Sequence, residues 1–248
     1  LANYKNIDAV DWQDEVFGNT GITTTHNLTA SGGTKKATYN FGYTYNNDKA
    51  IVINSNYKRH LLNLKGDYKI TKNVKVGVGG RLTHQDVLGA GVSDAKGSSY
   101  NRLRNAVKYR PYLSFNQDID DSDPIADPNV GNGLNLYNPI ALANSEYRKR
   151  TTDAYNVTAF VQINITKNLS FKSTAAYDYN KLVDLQYSDS LTPYAIIQGG
   201  RKPIAGLDTT TRTTYTNSNV LSYSVKGFKN KHDLDVLVGE ETYDLRTT

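Results

Sequence analysis

The chain has 248 residues, 29 basic and 24 acidic, with a net charge of +5 and no cysteine, which excludes a disulfide framework and a thiolate metal site. Hydrophobic residues make up 38%, and 19 residues are tyrosine. No run approaches the ~18 consecutive apolar residues of a membrane helix, so a helical membrane protein is excluded, but not a barrel, whose strands meet lipid at every second residue.

The sequence contains no methionine. Its opening, Leu1-Ala2-Asn3-Tyr4-Lys5, lacks the charged and apolar regions of a signal peptide, so truncation is the expected origin of this N-terminus. Residues 1–20 read as a loop, and residues 21–85 as strands. In residues 37–46 every odd position is apolar or aromatic and every even one polar or glycine, the period of a strand with two unlike faces. Residues 58–70 put His60, Leu62, Leu64, Tyr68 and Ile70 opposite Arg59, Asn63, Lys65, Asp67 and Lys69. Val74, Val76, Val78 and Leu82 alternate with Lys75, Gly77, Gly79 and Arg81.

Residues 86–153 interrupt the rhythm and read as a long loop with two short helices. Ser98 could cap a helix over residues 99–108, and Asn138 one that begins with Pro139. Strands return at 154–180, a second loop covers 181–213, and strands resume at 214–248. The count is about eight strands.

Short turns at 31–35, 71–73, 166–168 and 228–231 alternate with longer links, which puts all short turns at one end of an antiparallel sheet. The expected fold is therefore all-β: an antiparallel transmembrane β-barrel segment with short periplasmic turns and long extracellular loops. Tyr39, Phe41, Tyr43, Val76, Val78, Val161, Ile163 and Phe171 are expected to face lipid. Asn40, Arg59, Lys65, Lys75, Arg81 and Lys172 are expected to face the lumen. A closed eight-stranded interior would have to pair all those long cations, so the segment is expected to form an arc of a larger barrel. Both of its ends then fall at the long-loop rim. The alternative fold is a soluble β-sandwich serving as a surface adhesin or glycan-binding module.

Few constellations carry chemistry. Asp118, Asp120, Asp121 and Asp123 could collect a hard cation such as calcium, but the stretch lacks the glycine and distal glutamate of an EF-hand loop, and a solvated acidic loop is favoured. Tyr109, Arg110, Tyr112 and Phe115 could line a substrate vestibule; packing of the loop onto itself or onto a lid protein is favoured for them. His26, His60, His84 and His232 show no metal-ligand spacing, and no serine lies in a nucleophile elbow. The cations are spread among aspartates rather than gathered in a stripe, so no nucleic-acid partner is expected. A surface glycoside hydrolase is the third reading, and nothing sets two of the acids across a cleft for it.

Several stretches resemble the SusC/RagA family of TonB-dependent outer-membrane transporters. Asp11-Trp12-Gln13-Asp14-Glu15-Val16-Phe17 precedes His26-Asn27-Leu28-Thr29-Ala30-Ser31-Gly32-Gly33, and Ile51-Val52-Ile53-Asn54-Ser55-Asn56-Tyr57-Lys58-Arg59 follows. Tyr137-Asn138-Pro139-Ile140-Ala141 is similar to that family's entry into a loop helix. The resemblance implies a non-enzymatic, plug-filled barrel in the outer membrane of a Gram-negative bacterium, importing glycan or peptide fragments. It also implies a SusD-like surface lipoprotein lid, TonB engaged through an N-terminal region outside this sequence, and contact with outer-membrane lipid, the plug and the remaining strands. No cofactor is implied.

Overall fold

A computed structural model describes residues 9–91, 102–109, 111, 138–228 and 232–248. In chain order the elements are α1 (Trp12–Phe17), β1 (Ile22–Gly33), β2 (Ala37–Lys49), β3 (Asn56–Lys69) and β4 (Val74–Leu88), then α2 (Arg102–Lys108) and α3 (Pro139–Ser145). β5 (Glu146–Asn164), β6 (Leu169–Ser188), α4 (Pro193–Gln198), β7 (Ile204–Phe228) and β8 (His232–Thr247) follow. All eight strands lie in one sheet in sequence order, each antiparallel to its neighbours, with β1 and β8 as its edges.

The short turns share a local device. Thr34 Oγ1 accepts from the N–H groups of Lys36 and Ala37, Thr71 Oγ1 from those of Asn73 and Val74, and Thr166 Oγ1 from those of Asn168 and Leu169. A threonine at the first turn position thus holds two backbone donors that the ladder leaves over. The same Thr-Lys pair opens all three turns, at 34–35, 71–72 and 166–167.

Strands reach further than apolar alternation does. β5 starts at Glu146, β6 runs to Ser188, and β7 starts at Ile204, so the link between β4 and β5 covers 89–145 and that between β6 and β7 covers 189–203. Residues 146–153, apart from Tyr147, and 208–213 are polar or charged on both faces, which erases the hydrophobic period while the ladder hydrogen bonds continue.

Neither sheet face carries a second sheet among the described residues, as a sandwich would require. Large apolar side chains stay open, Leu28 at 61% and Val78 at 56% exposure. The buried apolar residues Trp12, Val16, Ala106, Tyr109, Leu142 and Ala195 all belong to helices or loops at the long-link end. This is a wall with a small helical cap.

Candidate functional site

Directly opposed residues in neighbouring strands share a face, so the register sorts the side chains. One row runs from Phe41 through Leu64 and Gly80 to Val157, Tyr177 and Tyr215. The next row toward the short turns contains Tyr39, Gly66, Val78, Ala159 and Ala175. By the same count Tyr43, Val76, Val161, Ile163 and Phe171 stand on this tyrosine face. All eight residues expected toward lipid are therefore on one side. Asn40, Arg59, Lys65, Lys75, Arg81 and Lys172 are on the other, the charged face.

The tyrosine face is apolar in mid-strand and ringed by aromatics farther from the turns. Tyr155 and Tyr179 stack with centroids 5.5 Å apart, and Tyr177 meets Tyr215 at 4.9 Å. The Tyr43 hydroxyl and His60 Nδ1 lie 2.8 Å apart, and His84 Nδ1 lies 2.7 Å from Asp153 Oδ1. Polar residues break the apolar field at one place: Asn219 Nδ2 donates to Asn217 Oδ1 at 2.7 Å and to Glu240 Oε1 at 3.1 Å. Among the described residues no group of three His, Cys, Asp or Glu side chains could hold a metal ion.

The charged face is cross-linked by polar contacts. Arg59 Nη2 donates to Asn46 Oδ1 at 3.0 Å, Lys75 Nζ lies 3.3 Å from Asp67 Oδ2, and Asn156 Nδ2 donates to Asp178 Oδ1. Phe160 is an apolar exception. Its ring lies over Gly77, where a Cβ would collide with it, and Lys172 Nζ sits 4.9 Å from its centroid. Beyond the aromatic ring, Arg148 Nε donates to Asp184 Oδ1 at 2.9 Å. This hydrogen bond holds the Asp184 carboxyl below the usual carboxylate range, against a smaller opposing effect of burial.

At the long-link end the cap is built from distant pieces. Asp11 caps α1 by accepting from the N–H groups of Gln13 and Asp14, and Asn138 caps α3 by accepting from those of Ile140 and Ala141, with Pro139 opening the helix as expected. Trp12 packs edge-on against Tyr109, ring centroids 5.2 Å apart at 87°. Tyr109 is 5% exposed, so it belongs to the packed cap rather than to an open vestibule. Arg110, Tyr112 and Phe115 lie outside the described residues, as do Asp118, Asp120, Asp121 and Asp123. Residues 98–101 at the expected helix start lie outside them too, and α2 is helical over Arg102–Lys108.

Arg102 fastens this cap to the wall. Its Nε donates to Glu146 Oε2 at 2.7 Å, and its Nη1 donates to the carbonyls of Gly91 at 2.8 Å and Ala90 at 3.2 Å. One side chain thus ties α2 to the end of β4 and the start of β5. Asn54, in the left-handed region at φ 56°, donates to Asn144 Oδ1 at 3.0 Å and bridges the 50–55 link to α3. A cavity of about 270 Å³ lies at the seat of the cap, between Phe17, Ile53, Leu88, Arg102 and Pro139.

No family model matches the chain. It is 28% identical over 233 residues to TonB-dependent receptor P3 of Formosa agariphila, an alignment covering 92% of this chain and 22% of that receptor. It is 26% identical to TonB-dependent receptor P39 of the same organism, covering 93% and 20%. The chain thus spans about a fifth of the length of these curated relatives. A structure of the RagAB peptide transporter superposes with a TM-score of 0.70 at 20% identity, over 97% of this chain and 26% of that one. The RagAB peptide importer in its open-open state gives 0.72 at 21%, with the same coverage. The chain is SusC/RagA-like.

In this SusC/RagA-like chain, both the wall and the cap carry the stretches that suggested the resemblance. Trp12 anchors the cap, His26 and Leu28 lie on the tyrosine face of β1, and Asn54 forms the bridge between loops. Arg102 and Glu146 were not singled out in the sequence. They stand 44 residues apart, and the only local signal was a cation among apolar positions in a short helix.

Proposed function

We propose that the chain is an arc of an outer-membrane barrel that imports glycan or peptide fragments, energised through TonB and served by a SusD-like surface lipoprotein. The segregation of the two faces is the observation that carries this reading. An apolar, aromatic-ringed side matches hydrocarbon between two interfaces, and a hydrated charged side matches a lumen. The open edges of β1 and β8 would pair with further strands, and the cap would line the extracellular mouth. The similarity to TonB-dependent receptors P3 and P39 and to the RagAB transporter supports the import role. A wall of this kind needs no cofactor. We propose that Asp118, Asp120, Asp121 and Asp123 form a solvated loop, which calcium titration would distinguish from a cation site.

The test compares neighbours on opposite faces. Phe41→Arg puts a cation on the tyrosine face and should block assembly, at about 2–4 kcal/mol near the bilayer midplane. Asn40→Arg should assemble normally, as read by heat-modifiable gel migration and outer-membrane fractionation. Equal tolerance of the two would remove the basis for the lipid assignment.

A further inference from the structure

The charged face holds a groove of about 670 Å³ across β4 to β8, within the range of ligand sites. Arg81 shares a cross-strand row with Asn156, Asp178 and Thr214, and Arg212 shares the next row with Asn180. Asp178, the acid in the lining, already accepts a hydrogen bond from Asn156. Arg81 and Arg212 are exposed and form no ion pair among the described residues. Two guanidinium groups with their forks open, set among amide and hydroxyl groups, are matched to carboxylates.

Their spacing suits an extended ligand. Three strand steps and an offset of one row along the strands set their Cα atoms about 16 Å apart. An extended chain of about four units can present one carboxylate to each guanidinium. We propose that this groove is a subsite for carboxylate-bearing oligomers, gripped at two points by Arg81 and Arg212. The proposal rests on the charged face being the lumen. Asn156, Asn180 and Tyr243 then offer hydrogen bonds to the uncharged parts of the chain between the two grips.

The experiment measures binding to the membrane-inserted protein in detergent by calorimetry. The probes are a tetrapeptide of alternating Glu and Gly, its Gln counterpart, and a tetragalacturonate. One acidic probe or both should bind more tightly than the Gln peptide, and which of them does so identifies peptide or glycan as the source of the carboxylates. Arg81→Gln and Arg212→Gln should each weaken acidic binding by about tenfold to a hundredfold and leave the Gln peptide unchanged. Arg81→Lys should fall between, because it keeps the charge and loses the fork. No preference for acidic probes, or equal binding by the variants, overturns the subsite. This segment has no cysteine, so with any cysteines elsewhere in the protein replaced, Arg81→Cys also reports directly on access. A residue shielded from a hydrophilic maleimide in the assembled barrel means that protein fills the groove, and overturns the proposal as well. The Phe41 and Asn40 comparison judges the lumen reading separately.

Discussion

Arg102→Met should detach the helical cap from the barrel wall without unfolding the wall. The Arg102 side chain is almost buried, at 9% exposure like that of Glu146, and its guanidinium serves one carboxylate and two backbone carbonyls. Removing one partner of a buried pair costs about 3–5 kcal/mol, since the remaining charge keeps its desolvation penalty. The ladder from β4 to β6 does not depend on this contact, so the loss appears as local opening. Hydrogen exchange should therefore quicken by at least ~100-fold for amides bonded within the cap or between cap and wall. Useful reporters are Tyr109 N–H to Asn105 O and Ile53 N–H to Val16 O. Amides of mid-strand β5 and β6 should keep their rates. Adding Glu146→Leu to Arg102→Met should recover much of the protection, because two apolar groups leave no buried charge. Unchanged exchange in the cap, or equal acceleration in the strands, would refute this account of the clasp.

Gly77→Ala should lower folding yield by forcing the Phe160 ring off the sheet, a strain of about 1–3 kcal/mol, and Phe160→Ala in the same chain should restore it. Thr71→Ala and Thr166→Ala each remove an acceptor of two turn hydrogen bonds, and should each destabilise the barrel by about 1 kcal/mol in urea unfolding. Asp184 binds its proton less readily in the folded state, so its contact with Arg148 contributes stability that is present above the ordinary carboxylate pKa. That contribution is lost as the pH falls through the lowered value. Exchange at the outer ends of β5 and β6 should accelerate only on such acidification, and Asp184→Asn should remove the pH dependence.

Much of the wall was legible because strand alternation is local. A residue pair such as Asn40 and Phe41 declares its faces with no knowledge of the partner strand, and each threonine-led turn needs only four consecutive residues. The Asn138-Pro139 helix start was legible for the same reason. The cap was not. Trp12 meets Tyr109 across 96 intervening positions, and no periodicity in either stretch announces the contact. The outer strand extensions were missed on different grounds. Tyr147, Arg148, Lys149 and Arg150 follow one another with no apolar period, because neither face there packs against hydrocarbon or a core.

Those extensions decide the shape of the rim. The cross-strand row that begins beside the first short turn at Gly33 and Thr38 passes through Asp67, Gly77, Phe160, Thr174 and Ser218 to Glu241. Gly77 is the fourth residue of β4, Thr174 the sixth of β6 and Glu241 the tenth of β8, so the turns fall steadily away from the row. If the turns share one plane, an offset of about 30 Å accrues over six strand steps of about 4.8 Å. The strands then tilt by about 45°, at the upper end of what barrel closure requires. At the other end, Lys49, Asn56, Leu88, Lys149, Leu185 and Leu207 nearly share a single row. Strand length must therefore grow around the arc, from 12 residues in β1 to 25 in β7. A strand of 9–11 residues suffices to cross a bilayer, so β1 and β2 end near its outer surface while β6 and β7 rise well above it. The cap sits on the low side, where α1 bonds to the 50–55 link through Ile53 and α3 through Asn54. Helices thus build up the rim where the strands are short, and the strands themselves build it where no helix pair stands.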